Sequence, residues 1–130
     1  MPLVHFHVPD AVTPQMRRTM GDVVYDALRS ELGVPEDDRF VVVTSHGGAD
    51  LQIDPDYLGI ERSEHALIIQ ITLNAGRSGD QKRAFYAAVA EGLHGRAGVR
   101  PEDVLINLVE VAPENWSFGN GIAQYAPATG

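Results

Sequence analysis

A proline, an aspartate and an arginine supply the chemical groups from which this sequence can build a reactive centre. Pro2 follows Met1 at the head of the strand-like segment "LVHFHV". Proline suits the first residue of a strand, which is the structural explanation for it. If Met1 is removed, Pro2 becomes a free secondary amine, which is both a base and a nucleophile. Asp38 and Arg77 offer the opposite charges that can tune such an amine and hold a carboxylate.

The elements that position these residues come from a duplicated chain. The segments "ELGVPEDDRFVVVT" and "RAGVRPEDVLINLVE" share Gly-Val, a proline, acidic residues and a strand-like apolar run. Thr13 and Ser78, the latter with Gln81 in a capping box, predict the starts of two helices. Gly33 and Gly98 predict where these helices end. Each half of the chain therefore predicts one helix between two strands.

Apolar residues recur at helical spacing between these caps. In the first half they are Met16, Met20, Val23, Val24, Ala27, Leu28 and Leu32, and in the second Phe85, Ala88, Val89, Gly92, Leu93 and Ala97. The predicted strands cover about 3–8, 40–45, 66–73 and 104–111. The chain thus forms one domain, 1–130, with β-α-β repeats at about 2–46 and 65–111 and a C-terminal tail at about 112–130. The long connection from Gly47 to Glu64 separates the repeats.

The order of these elements predicts which residues meet. The crossover rule makes the two strands of each repeat parallel. Pseudo-two-fold symmetry sets the repeats antiparallel across the centre of the sheet. The starts of the first two strands and the end of the third then lie together. Pro2, Asp38, Arg39 and Arg77 are therefore expected to converge on one edge of the sheet.

The composition excludes several classes of function. Ten basic against 18 acidic residues give a net charge of −8, which argues against nucleic-acid and anionic-membrane partners. The lack of cysteine excludes disulfides and thiolate chemistry. No apolar run reaches the roughly 18 residues that span a bilayer and no export signal is evident, so a cytoplasmic protein is expected. His5 and His7 alternate as metal ligands can, but no third ligand is evident, so neither metal nor other cofactor is expected.

Four stretches of the sequence resemble one family of enzymes. They are "GVPEDDRF", "AGRSGDQKRAFY", "GVRPEDVLINLVE" and "ENWSFGNGIAQY", and with the Met-Pro start they cover nearly the whole chain. The sequence is similar to the tautomerase superfamily, and most similar to its malonate semialdehyde decarboxylase group. The resemblance implies the α+β fold of 4-oxalocrotonate tautomerase and macrophage migration inhibitory factor. In that fold two helices cover one face of a four-stranded mixed sheet, and three copies form a homotrimer.

The resemblance also implies roles for individual residues. Pro2 is the catalytic amine, Asp38 its acidic partner and Arg77 a carboxylate-binding arginine. The aromatic wall of the site falls on Trp116, Phe118 and Tyr125. These aromatic residues also suit the core or a subunit contact, and both roles hold if the site lies at a subunit boundary.

The sequence departs from the decarboxylase pattern at one important position. That pattern has a second arginine two residues before the one matching Arg77, and here Ala75 stands in its place. Arg39 can supply the missing positive charge and bind substrate, or can pair with Asp37. The sequence leaves both alternatives open.

Three functions follow from these residues. The first is a tautomerase that acts on a small 2-oxo acid, with neutral Pro2 as general acid and base. The second is a decarboxylase or hydratase of a 3-oxo acid of the malonate semialdehyde type, which needs cationic Pro2. The third is a trimeric scaffold without a reaction. If Met1 stays attached, the nitrogen of Pro2 is an amide and neither chemistry is possible.

Overall fold

Two β-α-β units form a four-stranded sheet in the computed structural model, which describes residues 1–127. Residues 128–130, the end of the predicted tail, lie outside the described residues. The elements are β1 (Leu3–Pro9), α1 (Pro14–Leu32), β2 (Phe40–His46), β3 (Leu67–Asn74), α2 (Gly79–Ala97) and β4 (Val104–Val111). Short 3-10 turns lie at Tyr57–Gly59, Pro101–Asp103 and Pro113–Asn115. The predicted order of strands and helices is confirmed.

Both helices begin and end at the predicted caps. The Thr13 side chain accepts a hydrogen bond from the backbone N–H of Met16. Ser78 and the third residue of α2, Gln81, form a capping box. Gly33 and Gly98 adopt left-handed conformations, with φ of 68° and 69°, that end the helices.

The central strand β1 fixes the register of the sheet, whose strand order is β2-β1-β3-β4. Leu3 pairs with Phe40 of the parallel strand β2 and with Thr72 of the antiparallel strand β3. Strands β3 and β4 are parallel, as the crossover rule requires. The start of the chain therefore lies between the start of β2 and the end of β3.

The two helices cover one face of the sheet and leave the other open. Alternate residues of β1 and β3 point towards the helices and are buried. The core includes Val4, Phe6, Val24, Leu28, Ile69, Ile71, Phe85 and Leu93. Exposed hydrophobic residues on the other face, with 38% to 48% of their surface accessible, are Leu3, Phe40, Val42, Leu105 and Val109. We call this the open face.

Three histidines on the open face have hydrogen-bond partners within the chain. The Nε2 atom of His5 lies 2.8 Å from Oγ1 of Thr44, and Nδ1 of His7 lies 2.9 Å from Nε2 of His46. Among residues 1–127, no group of three or more His, Asp or Glu side chains is placed to hold a metal ion. Within the same residues, no helix is long and apolar enough to cross a membrane.

The long connection is tied to the start of β4 by a buried carboxylate. Asp103 has only 2% of its surface exposed. It accepts hydrogen bonds from the backbone N–H of Ser63 at 2.7 Å and from its hydroxyl at 2.6 Å. These bonds satisfy the buried charge and hold the connection at the end of the sheet remote from the start of β1.

Gly92 marks the closest approach of the two helices and gives a test of their packing. A Cβ atom at Gly92 lies 2.7 Å from Cγ1 of the buried Val23, whereas a Cβ atom at Gly95 meets nothing within 4 Å. Overpacking costs about 1–3 kcal/mol and outweighs a gain in helix propensity of about 1 kcal/mol. We expect Gly92→Ala to lower the free energy of unfolding and the matched Gly95→Ala to raise it, as measured by urea denaturation. Equal effects of the two substitutions contradict this packing.

Candidate active site

The start of the chain meets Asp38 where β1 begins. The N-terminal ammonium of Met1 forms an ion pair with the Asp38 carboxylate, whose side chain is 12% exposed. Pro2 is buried, and its nitrogen is here an amide because Met1 is attached. Asp37, which precedes Asp38 in the chain, has a φ of 68°, and its backbone N–H donates to the Tyr25 hydroxyl at 3.1 Å. This turn directs Asp38, rather than Asp37, towards the chain start.

Arg77 is held by backbone carbonyl groups. Its Nε and Nη2 donate to the carbonyl oxygen of Leu32 at 3.3 and 3.1 Å, and its Nη1 donates to that of Asn74 at 3.2 Å. Leu32 is the last residue of α1, so its carbonyl lies at the negative end of the helix dipole. A guanidinium has five N–H groups, and these contacts use three of them. Two N–H groups are left that can bind a carboxylate.

Burial and Arg77 both act on the terminal amine. Desolvation, followed by the positive charge of Arg77, lowers the pKa of the Met1 ammonium from 8.0 to about 6. The Asp38 carboxylate acts in the opposite direction because it favours the charged amine. The amine at this position therefore changes protonation state near neutral pH.

Aromatic side chains cluster after β4. Trp116 and Phe118 stack with ring centroids 5.4 Å apart, and Tyr125 lies edge-on to Phe118 at 5.0 Å. Phe40, at the start of β2, also contacts Phe118, at 5.9 Å. The side chain of Gln124 holds the backbone next to Phe118 in place. Its Oε1 accepts from the Phe118 N–H at 2.9 Å, and its Nε2 donates to the carbonyl oxygen of Gly119 at 3.0 Å.

Asn74 joins the aromatic cluster to the chain start. Its Oδ1 accepts a hydrogen bond from Nε1 of Trp116 at 2.7 Å, and its Nδ2 contacts Sδ of Met1. Its backbone carbonyl also binds Arg77. Sequence analysis missed both Asn74 and Phe40. The available signal was the predicted topology, which puts the end of the third strand beside residue 1.

Arg39 lies apart from these contacts. Its guanidinium pairs with Asp22 of α1 at 2.8 Å and lies 5.1 Å from the ring centroid of Tyr25. The structure shows neither of the two alternatives that the sequence left open, since Arg39 pairs with Asp22 rather than with Asp37 or the chain start. The structure brings together the chain start, Asp38, Arg77 and the aromatic residues, but it does not bring the Arg39 side chain to them.

Comparisons with known proteins identify the family and the fold of the chain. The family model described as a tautomerase enzyme matches residues 38–119. The probable tautomerase YusQ of Bacillus subtilis (strain 168) is 36% identical over 124 residues, which cover 95% of this chain and 98% of the relative. FG41 malonate semialdehyde decarboxylase inhibited by 3-bromopropiolate superposes with a TM-score of 0.89 at 37% identity, over 95% of this chain and 93% of that chain. A fused 4-OT symmetric trimer has a TM-score of 0.77 at 19% identity, over 95% and 97% of the two chains, and shares the fold.

The chain belongs to the tautomerase family of enzymes. The resemblance inferred from the sequence motifs is confirmed, including the similarity to malonate semialdehyde decarboxylase. The fold is the predicted one, with a four-stranded mixed sheet and two helices on one face.

The lowered pKa of the terminal amine can be tested in the chain that retains Met1. The amine is expected to titrate near pH 6, as measured by the pH dependence of its acylation followed by mass spectrometry. We expect Arg77→Met to raise the pKa because a nearby positive charge is lost, and Arg77→Lys to keep it low. We expect Asp38→Asn to lower the pKa further. A parent amine that titrates near 8 contradicts the described electrostatics.

The lowered pKa of the terminal amine also makes the stability of the fold depend on pH. The amine has a pKa of 8.0 in the unfolded chain and about 6 in the folded one. Between these values the unfolded chain binds more protons, so this group makes stability rise from pH 6 to pH 8. Acetylation of the amine should remove that rise in a series of urea denaturations.

Proposed function

We propose that removal of Met1 frees the amine of Pro2 and that this amine is the general acid and base of a tautomerase for small 2-oxo acids. The observation that carries the proposal is the terminal amine in contact with Asp38, with a pKa lowered to about 6 by burial and Arg77. An amine with such a pKa is largely neutral at pH 7, as a base must be.

Arg77 is proposed to bind the substrate carboxylate. It has two N–H groups beyond its backbone contacts, and its planar guanidinium matches the geometry of a carboxylate. It also lies close enough to the chain start for its charge to act on the amine. A carboxylate on Arg77 therefore places its neighbouring carbons within reach of Pro2.

The aromatic residues are proposed to line the substrate space. Trp116 and Phe118 stack, and Tyr125 packs edge-on against Phe118. Such surfaces exclude water and strengthen the electrostatic interactions beside them.

The negative net charge of −8 makes a local cation necessary for an acidic substrate, and Arg77 supplies it.

The reaction moves one proton between oxygen and carbon. Neutral Pro2 takes the hydroxyl proton of the enol, and the O–H electron pair becomes part of the carbonyl double bond. The electron pair of the C=C bond then takes a proton from the Pro2 ammonium, which restores the neutral amine. Asp38 stabilises the ammonium in the interval between these steps.

Decarboxylation of a 3-oxo acid is the second candidate. It is favoured by 37% identity to FG41 malonate semialdehyde decarboxylase and by the ion pair between the amine and Asp38, which stabilises a cation. Here cationic Pro2 polarises the 3-oxo group and donates a proton to its oxygen, while the carbon–carbon bond to the carboxylate breaks, carbon dioxide leaves and the electron pair of that bond forms an enol. The enol is then protonated on carbon as its hydroxyl proton returns to Pro2. Ala75 stands where a second arginine is expected, and Arg39 is paired with Asp22, so the tautomerase remains our first proposal.

A homotrimer is proposed as the assembled form. The open face exposes Leu3, Phe40, Val42, Leu105 and Val109, which a subunit contact can bury. Structural neighbours include a fused 4-OT described as a symmetric trimer. We expect sedimentation equilibrium to give three times the chain mass, and Val42→Glu on the open face to reduce it. A monomeric parent contradicts the proposal.

The role of Pro2 is tested by comparing two prolines of the same strand region. Intact mass first establishes that Met1 is absent from the untagged protein. We expect Pro2→Ala to reduce kcat/KM for enol ketonisation by about 10²-fold or more, because it alters the acid-base group. Pro9→Ala, at the far end of β1, should leave kcat/KM nearly unchanged.

Two outcomes contradict the proposed function. One is full activity in a chain that retains Met1, and the other is full activity of Pro2→Ala. Assaying a 3-oxo acid with detection of released carbon dioxide separates the two candidates. Release at a rate above that of ketonisation favours the decarboxylase.

A further inference from the structure

We propose that Asn74 binds the oxygen of the reacting carbonyl or enol group through its side-chain amide. This inference rests on the proposed function of Pro2 and Arg77. Asn74 is the last residue of β3, and the antiparallel pairing of Leu3 with Thr72 brings it beside residue 1. It is therefore positioned by the sheet itself rather than by a loop.

The orientation of the Asn74 amide follows from its partner. The indole Nε1–H of Trp116 is a donor only, so the group it contacts at 2.7 Å must be the amide oxygen. The NH2 group then points the other way, where it contacts Sδ of Met1. Trp116 therefore fixes the direction in which Asn74 donates.

The donor of Asn74 has a weak partner in the chain that retains Met1. A thioether sulfur is a poor hydrogen-bond acceptor, so the contact with Met1 leaves the NH2 group poorly satisfied. Removal of Met1 takes the thioether away and leaves the N–H facing the space beside the amine of Pro2. An oxygen of a bound substrate is the stronger acceptor for it.

The position of Arg77 makes this oxygen the one next to the carboxylate. Arg77 Nη1 binds the backbone carbonyl of Asn74 at 3.2 Å, so the two side chains belong to neighbouring parts of the site. A 2-oxo acid carries its carboxylate and its oxo group on adjacent carbons. With the carboxylate on Arg77 and the oxo group on Asn74, the third carbon is directed to the amine.

An N–H donor at this oxygen acts on the step in which charge develops. As Pro2 takes the hydroxyl proton of an enol, or a proton from the third carbon of a ketone, negative charge builds on the oxygen. A fixed donor stabilises that charge without reorganisation, and losing one such donor reduces kcat by about 10²–10³-fold. Asn74 transfers no proton itself, so the proton transfers between substrate and Pro2 are those of the proposed reaction.

The test compares Asn74 variants in protein shown by mass to lack Met1. Asn74→Leu removes both polar atoms, whereas Asn74→Asp keeps an acceptor for Trp116 and removes the donor. Ketonisation of phenylenolpyruvate is the assay. We expect both variants to reduce kcat by about 10²-fold or more. The matched control is Gln70→Leu on the same strand, where the amide binds Asn107 at 3.0 Å, and its activity should stay close to that of the parent.

Binding gives a readout that does not depend on turnover. Trp116 is the one tryptophan of the chain, so its fluorescence reports ligands in the site. Phenylpyruvate has the 2-oxo group and 3-phenylpropanoate lacks it, while both carry a carboxylate. We expect Asn74→Leu to weaken phenylpyruvate about tenfold and to leave 3-phenylpropanoate unchanged, whereas Arg77→Met weakens both.

The outcomes separate this inference from the proposed function. The role of Asn74 is overturned if its variants keep the parental kcat, or if Asn74→Leu binds both acids more weakly by the same factor. In either case Pro2→Ala still tests the role of the amine independently. A Met1-free parent that binds both acids but converts neither overturns the tautomerase. In that case, weaker binding of phenylpyruvate alone to Asn74→Leu still supports the oxygen contact with Asn74. Unchanged binding of phenylpyruvate overturns that contact. If Asn74→Leu does not fold, Asn74→Ala decides by the same measurements, because it removes both polar atoms without adding a charge.

Discussion

The pairing of β1 with a neighbour on each side is the constraint on which the site depends. Leu3 is paired both with Phe40 of a parallel strand and with Thr72 of an antiparallel strand. The parallel pairing brings Asp38, two residues before β2, to the chain start, and the antiparallel pairing brings Asn74, the last residue of β3. Because side chains alternate along a strand, a slip of one residue in either pairing turns the wrong side chain towards the site.

The electrostatics follow from how the two arginines are held. Arg39 forms an ion pair with Asp22, so a nearby carboxylate offsets its charge. Arg77 is instead bound by neutral carbonyl groups, one of them at the negative end of α1. Among the described residues Arg77 makes no ion pair, which explains why its positive charge acts on the terminal amine. The end of a helix thus holds the Arg77 guanidinium in place without neutralising its charge.

The sequence was informative where local chemistry decides the structure. The capping residues Thr13 and Ser78 and the glycines Gly33 and Gly98 determine the ends of both helices by their own hydrogen bonds or backbone freedom. The crossover rule and the internal duplication then predicted the convergence of the chain start with Asp38 and Arg77. These predictions needed no knowledge of how individual side chains are oriented.

The sequence was less informative where a side chain depends on a distant partner. Arg39 turns towards α1 because Asp22 and Tyr25 lie there, and neither is close to it in sequence. Asparagine is an ordinary residue at the end of a strand, and the role proposed for Asn74 depends on its hydrogen bond with Trp116, which is 42 positions away. Such contacts appear only when two segments are packed together.

Met1 occupies the point at which these contacts meet, so one covalent event changes several properties of the site. Its amine pairs with Asp38 and its thioether contacts Asn74. On the proposed chemistry, removing this residue moves the basic nitrogen to the buried Pro2, leaves Asp38 as its counter-ion and exposes the Asn74 donor. The surrounding turn, helix end and indole are fixed by their own hydrogen bonds and do not depend on Met1. On this proposal, the fold holds the site in place before the reactive group exists, and removal of Met1 supplies that group.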